Sequence, residues 1–245
     1  MSPDTPKVAI ITGAGRGIGA AVAERLARDG FLVVVNYPSE PGPAEALVRK
    51  IQSTGGRAMA ARADISDPAA VRGLFDLVEK EHGRVDVLVN NAGVMRTGPL
   101  AQVDDQTFDQ VVSVNLKGTF NTLREAANRM QPGGRIINFS SSVTSIRQPG
   151  YAVYGASKAA VEVLTTILSK ELGARGISVN AVAPGPTATE LLKNSRPEIV
   201  DHVIKQTPLG RLGTPEDVAS VVSFLAGPDG GWVDGQTLRV NGGVI

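Results

Sequence analysis

Val8-Ala9-Ile10-Ile11-Thr12-Gly13-Ala14-Gly15-Arg16-Gly17-Ile18-Gly19 carries an unbroken apolar run into a turn holding four glycines. Ala20-Ala21-Val22-Ala23-Glu24-Arg25-Leu26-Ala27 follows with the apolar spacing of a helix. An apolar run without polar alternation is the pattern of a strand covered on both faces. Glycines between such a strand and a helix let the backbone approach an anion closely while the helix N-terminus aims N–H groups at it. A glycine-rich turn alone is a weak signal. Strand, turn and helix in this order within the first thirty residues make it specific for a dinucleotide pyrophosphate. The contacts expected there are Gly13, Gly15, Arg16, Gly17, Ile18 and Gly19.

The same alternation of short β-branched runs and longer amphipathic ones continues along the chain, as in a parallel sheet with crossover helices. Strands are expected at Val8–Thr12, Leu32–Asn36, Ala58–Arg62, Val85–Val89, Arg135–Phe139, Ile177–Val182 and Gln236–Val240. Asp67-Pro68 and Thr214-Pro215-Glu216-Asp217 are helix starts, the second a near match to a capping box, and Gly83 is a helix stop. No long linker, repeat or charge block interrupts the series, so the fold class is α/β: one doubly wound domain over residues 1–245, a seven-stranded parallel sheet with helices on both faces. The stretch from Pro184 to Gly213, rich in Pro and Gly around a polar helical segment, is the exception and is expected to be a substrate-binding loop or lid.

Composition narrows the function. With 25 Lys+Arg against 24 Asp+Glu, there is no basic excess of the kind that nucleic acid or anionic membrane attracts. The absence of Cys removes thiol catalysis, iron–sulfur clusters and Cys-ligated zinc. The N-terminal apolar run breaks at Gly13, too short for a signal-peptide core or a membrane span, so a cytoplasmic protein is expected.

The end of the second strand selects between coenzymes. An NAD site places Asp or Glu about 20 residues past the glycine turn to accept hydrogen bonds from the ribose 2′-OH. Here Asn36-Tyr37-Pro38-Ser39 stands in that place and the first acid, Glu40, comes late. Neutral donors at Asn36, Tyr37 and Ser39 with the cationic Arg16 would accept a 2′-phosphate that a carboxylate would repel. NADP(H) is therefore expected over NAD(H); the alternative is that Arg16 is a solvated loop cation and the site is indifferent.

Tyr154-Gly155-Ala156-Ser157-Lys158 opens a helix, and residues four apart share one face. A phenol is a poor acid–base group at neutral pH, and a nearby cation favours its phenolate. The pair is common by chance, but three features corroborate it: the strand Arg135–Phe139 ends in Ser140-Ser141-Ser142, Val87–Val89 ends in Asn90-Asn91-Ala92-Gly93, and Asn115 is an amide within an otherwise apolar helix. The first two fall at the carboxyl edge of the sheet, where open α/β folds bind ligands. Asn115 could instead be a core amide satisfied by the backbone.

These motifs together resemble the short-chain dehydrogenases/reductases over essentially the whole chain: Thr12 to Gly19, Asp64, Asn90 to Gly93, Asn115, the Ser cluster, Tyr154-x-x-x-Lys158, Pro184-Gly185 with Thr189, and Asp234-Gly235 with Asn241-Gly242-Gly243. The resemblance implies a Rossmann fold and a metal-free hydride transfer. It implies that Tyr154 is the general acid in ketone reduction and Ser141 the partner of the substrate oxygen, with Ser140 and Ser142 turned away. Lys158 would lower the Tyr154 pKa and hold the nicotinamide ribose, and Asn115 would anchor a water linking Lys158 to solvent. Asn90, Asn91, Ala92 and Gly93 would line the adenosine, Asp64 and Ile65 the adenine, and Pro184, Gly185, Thr187 and Thr189 the nicotinamide side.

Within the family the chain is similar to 3-oxoacyl-(acyl-carrier-protein) reductases and related carbonyl reductases, which makes a small-molecule or thioester ketone the expected substrate. Arg175 matches a carrier-docking cation, or else only closes a helix; Met130-Gln131-Pro132-Gly133-Gly134 lacks a second one, though Arg129 is near. The alternatives are an NAD(P)-dependent alcohol or sugar dehydrogenase working in the oxidative direction, and a non-catalytic NADP-sensing module. A serine hydrolase is excluded, because Gly155-Ala156-Ser157-Lys158-Ala159 fails the nucleophile elbow and His82 and His202 are isolated. Small and apolar residues on more than one face of the Tyr154 helix (Ala156, Ala159, Ala160, Val163, Ile167) exceed what one core explains, and the resemblance, in which such helices pair between subunits, implies a homotetramer.

Overall fold

The computed structural model describes residues 6–189 and 197–245. Strand β1 (Val8–Ile11) is wholly buried, and parallel strands flank it on both sides, β2 (Leu32–Tyr37) and β4 (Val87–Asn90). With β3 (Arg57–Arg62), β5 (Arg135–Phe139), β6 (Ser178–Pro184) and β7 (Thr237–Val240), one parallel sheet has the order β3-β2-β1-β4-β5-β6-β7. The order reverses between β1 and β4, and a crevice opens at their carboxyl ends.

Successive side chains of a strand point to opposite faces, and the two cores divide accordingly. Ala9, Ile11, Val33, Val35, Val87 and Val89 pack on one face with α1 (Gly17–Arg28), α2 (Pro41–Ser53) and the Pro215–Ala226 helix. Val8, Ile10, Val34 and Leu88 pack on the other with α3 (Pro68–His82), α5 (Thr119–Arg129) and α7 (Ala152–Leu172), which follows the one-turn α6 (Val143–Ile146). Both faces are covered, which is why these strands lack polar alternation.

The expected helix signals act as such. Asp67 accepts from Ala69 N at the start of α3, and Gly83 ends it at φ 81°. Thr214 and Asp217 form a complete capping box, braced by Arg211. One element departs from expectation. The helix holding Asn115 is broken: α4 (Asp105–Val111) runs into a π-helical stretch, Val112–Gly118, before α5 resumes. Such a stretch inserts an extra residue into the turn and re-aims what it carries.

The Pro184–Gly213 segment is pinned at its neck, where Ala188 N donates to Gly213 O (2.8 Å) and Gly213 N to Pro186 O (2.9 Å). It contains the Pro197–Gln206 helix, while residues 190–196 of the expected lid lie outside the described residues.

Candidate active site

The glycine turn is shaped by what surrounds it. Gly13 and Gly17 have φ of 61° and 58°, a region that L side chains rarely adopt. A Cβ on Gly13 would lie 2.9 Å from Ala92 Cα, and one on Gly19 would lie 2.5 Å from the Asn91 amide nitrogen. The turn and the β4 end are therefore in direct contact. Asn91 Nδ2 donates to Thr12 O (2.9 Å) and Gly13 O (3.1 Å), and Ala92 N donates to Thr12 Oγ1 (3.0 Å). The α1 N-terminus has no side-chain cap and no acid in its first turn, and exposed Arg16 stands at its cap position. An uncapped helix start with a cation beside it fits a pyrophosphate. Thr189 reaches this turn from the other side, its Cγ2 3.6 Å from the Cβ position of Gly17. Ile18 is half-buried, and Gly15 is open to Pro43 and Ala44 at ordinary contact distance.

Several expected contacts turn out to be internal. Asn36 is buried, accepts from Gly13 N (3.3 Å) and donates to Ala61 O and Ala63 O (3.2 and 3.0 Å). Both its N–H groups are engaged, so it shapes the turn from below and is not free to donate to a 2′-phosphate. Half-buried Tyr37 and exposed Ser39 remain at that edge, joined by exposed Arg62, whose Nε donates to Pro38 O (3.3 Å). Sequence reasoning missed Arg62, although its place opposite Tyr37 in the β2–β3 register is the signal that would have found it. The Ile65 side chain is buried against Gly118, whereas Asp64 is exposed with Oδ1 accepting from Ser66 N and Oγ. The Asn90 side chain joins a buried line from Thr122 through Asn90 to Asn138 and Thr165 across β4 and β5. Gly185 is held against Asn241 and β7, and Thr187 donates to Gly185 O (3.0 Å).

The chemistry gathers where β5 and α7 meet. Ser140 and Ser142 are buried and turned to protein partners, Glu162 and Ala183 O. Ser141 faces the other way, beside the Tyr154 hydroxyl, where it lowers the phenol's pKa. Lys158, one turn further along α7, is buried, donates to Phe139 O (2.8 Å) and lies 5.9 Å from the Tyr154 ring centroid. Burial pulls its ammonium down to about 8. Burial pushes the Tyr154 phenol up, with Ser141 acting in the opposite sense and Tyr151 adding a smaller rise. Of the groups beside the phenol, Ser141 is the one that lowers it, and the Lys158 ammonium is turned to the Phe139 carbonyl.

Asn115 is buried on the π-helical turn, accepting from Val94 N (2.8 Å) and donating to Val94 O (2.9 Å) and Ser157 Oγ (3.1 Å). It is a satisfied core amide, yet not only that. A Cβ on Gly93 would sit 3.2 Å from Asn115 Oδ1 and 3.4 Å from Lys158 Nζ, so both polar groups line the same small hollow. The two cations weighed for carrier docking are engaged elsewhere. Arg175 donates to Ala127 O and Met130 O, closing the end of α5. Arg129 is paired with Asp76, Glu79 and Glu125. A hollow of about 420 Å³ lined by Lys7, Arg25, Phe31 and Phe224 lies at the opposite, amino edge of the sheet, away from these groups.

The whole arrangement has close relatives. A family model described as enoyl-(acyl carrier protein) reductase matches residues 13–245. The NADPH-dependent aldehyde reductase-like chloroplastic protein of Arabidopsis thaliana is 42% identical, covering 99% of this chain and 96% of its own. The 3-oxoacyl-(acyl-carrier-protein) reductase FabG of Staphylococcus aureus is 41% identical over 97% of this chain and 98% of its own. A short chain dehydrogenase from Burkholderia cenocepacia, solved in complex with NADP, superposes with a TM-score of 0.92 at 38% identity, covering 97% of each chain. With its glycine turn, its Ser141–Tyr154–Lys158 cluster and this likeness from end to end, the chain belongs to the short-chain dehydrogenases/reductases, a family of nicotinamide-dependent oxidoreductases.

Proposed function

We propose that the chain is an NADPH-dependent reductase of ketone carbonyls in which Tyr154 donates the proton. The observation that carries this is the gathering of Ser141, Tyr154 and the buried Lys158, whose Nζ lies 5.9 Å from the Tyr154 ring, at the carboxyl edge of the sheet. When bound, NADPH supplies the hydride to the carbonyl carbon. The chain's own residues do the rest. Ser141 Oγ and the Tyr154 hydroxyl converge on the position of the carbonyl oxygen and fix its orientation. Tyr154 gives its proton to that oxygen as negative charge develops there. Lys158 stabilises the resulting phenolate and reaches the nicotinamide ribose. Asn115 holds the Gly93–Val94 backbone against Lys158, and its Oδ1 keeps a second lone pair for a water on the proton path.

Selection of NADPH falls to Arg16 at the helix start and to Arg62 with Ser39 at the β2–β3 edge, where no carboxylate ends β2. Gly13, Gly15, Gly17, Ile18 and Gly19 would cradle the pyrophosphate, with Asn91, Ala92, Gly93 and Asp64 along the adenosine and Pro184, Gly185, Thr187 and Thr189 beside the nicotinamide. The internal engagement of Arg175 and Arg129 favours a small ketone or 3-oxoester over a substrate delivered on a carrier protein. Exposed apolar side chains on α5 and α7 (Phe120, Val163, Ile167) and the fully exposed Trp232 support a homotetramer. No helix among the described residues is long and apolar enough to cross a membrane.

The deciding experiment follows NADPH oxidation with ethyl acetoacetate, an acetoacetyl thioester, small ketones and sugars, repeated with NADH. Turnover of the ester and the ketones with a KM for NADPH well below that for NADH is expected. Arg16→Ala should raise the NADPH value about tenfold, the order of one charge-assisted contact, and the NADH value by less. No turnover across the panel would leave the sensing role, and preference for NADH would overturn the coenzyme assignment.

A further inference from the structure

Glu162 lies four residues beyond Lys158 and eight beyond Tyr154 on α7, so the three side chains follow one stripe of the helix, drifting about 40° per step. Tyr154 and Lys158 turn into the site, whereas Glu162, half-buried, turns to the chain that leaves β5. Its Oε1 accepts from Ser140 Oγ at 2.5 Å and from Thr144 Oγ1 at 2.9 Å. Thr144 Oγ1 also lies 2.9 Å from Ser141 O, and Val143 N donates to Ser141 Oγ (3.3 Å). One carboxylate oxygen thus grips the residues on both sides of Ser141. A hydroxyl donating to an ionised carboxylate is among the stronger hydrogen bonds a side chain can make.

We propose that Glu162 is a positioning residue that sets Ser141 against Tyr154, tying the loop that carries one active hydroxyl to the helix that carries the other. The inference rests on the assignment of Ser141 and Tyr154 to the reaction. Geometry makes the coupling direct. Ser141 follows β5, Tyr154 opens α7, and α7 is fixed to β5 below the site by Lys158 with Phe139 O and by Asn138 with Thr165. Between those two ties along α7, the Ser140–Glu162 and Thr144–Glu162 bonds hold the turn itself, and without them the Ser140–Thr144 turn loses its side-chain hold on the helix.

The test uses Glu162→Ala and Glu162→Gln in the full chain, with ethyl acetoacetate and NADPH, and a crystal structure of the alanine variant. Glu162→Ala is expected to lower kcat about 10- to 100-fold, the scale of a misplacement of an ångström or so, with the KM for NADPH unchanged. Glu162→Gln keeps an acceptor in place and should recover most of the loss. The groups facing Tyr154 are Ser141, Tyr151 and Lys158, and Ser141 is the one that holds its phenol down. Loss of Ser141 from its place should move the Tyr154 limb of the pH profile upward, whereas loss of the carboxylate charge alone would move it downward. Where Glu162→Ala fails to fold, Ser140→Ala combined with Thr144→Val removes both grips and leaves the charge, with the same upward shift expected. An unchanged kcat, a downward shift, or a Ser141 still in place beside the Tyr154 hydroxyl in the crystal would overturn the inference. A wild-type protein that reduces no carbonyl would overturn the assigned function instead, while the Ser141–Tyr154 geometry of the variant would still decide the role of Glu162.

Discussion

Lys158 is the residue at which stability and chemistry pull in opposite directions. A buried ammonium with one hydrogen bond, to Phe139 O, destabilises the fold, and the fall of its pKa to about 8 expresses that cost. Below pH 8 the amine is protonated in the folded and unfolded chain alike, so the cost is present in full. Between about 8 and the ordinary lysine value of 10.5 the unfolded chain binds more protons, and stability rises with pH. Lys158→Met is therefore expected to be inactive yet more stable at pH 7 by roughly 1–3 kcal/mol, as when buried charges give way to apolar side chains. Chemical denaturation at pH 7 and pH 10 checks this: the advantage should shrink at the higher pH, and a variant less stable at pH 7 would refute the account of Lys158.

At the scale of elements, the glycine turn and the β4 end form one unit, because Gly13 and Gly19 leave room for Ala92 and Asn91. Gly13→Ala places a Cβ 2.9 Å from backbone and in a strained conformation. Such backbone strain is worth about 1–3 kcal/mol. NADPH affinity should fall at least tenfold while circular dichroism stays native, and unchanged affinity by calorimetry would count against the cradle. These elements were legible in the sequence because their signals are local: apolar runs for β1, β2 and β4, the Asp67 and Thr214 caps, and Gly83 as a stop. What was not legible depends on partners far along the chain. The π-helical turn answers to Val94, which pairs with Asn115 in both directions. Asn36 looked like a phosphate donor until β3 supplied Ala61 O and Ala63 O, and Arg175 looked like a docking cation until the end of α5 supplied two carbonyls. A side chain's type is written in the sequence, but which of its hydrogen bonds the fold has already taken is not.

For the whole molecule, α7 carries an apolar side that this chain leaves exposed. Val161, Thr165 and Leu172 are buried against the sheet, while Val163 and Ile167 stay 57% and 51% exposed on the far side. Burying such side chains is worth about 1.5–3 kcal/mol each, an ample drive for association. Sedimentation at micromolar concentration should give a tetramer, and Ile167→Glu with Val163→Glu should dissociate it; a wild-type monomer would contradict the proposal. Association would also press on the helix that carries Tyr154, Lys158 and Glu162, so the site and the interface share one element. The central claim is that this helix delivers a proton to a carbonyl. Tyr154→Phe removes the hydroxyl alone, and with NADPH binding verified by fluorescence, its reduction of ethyl acetoacetate should fall below a few per cent of wild type. Retention of more than that with coenzyme still bound would contradict Tyr154 as the acid.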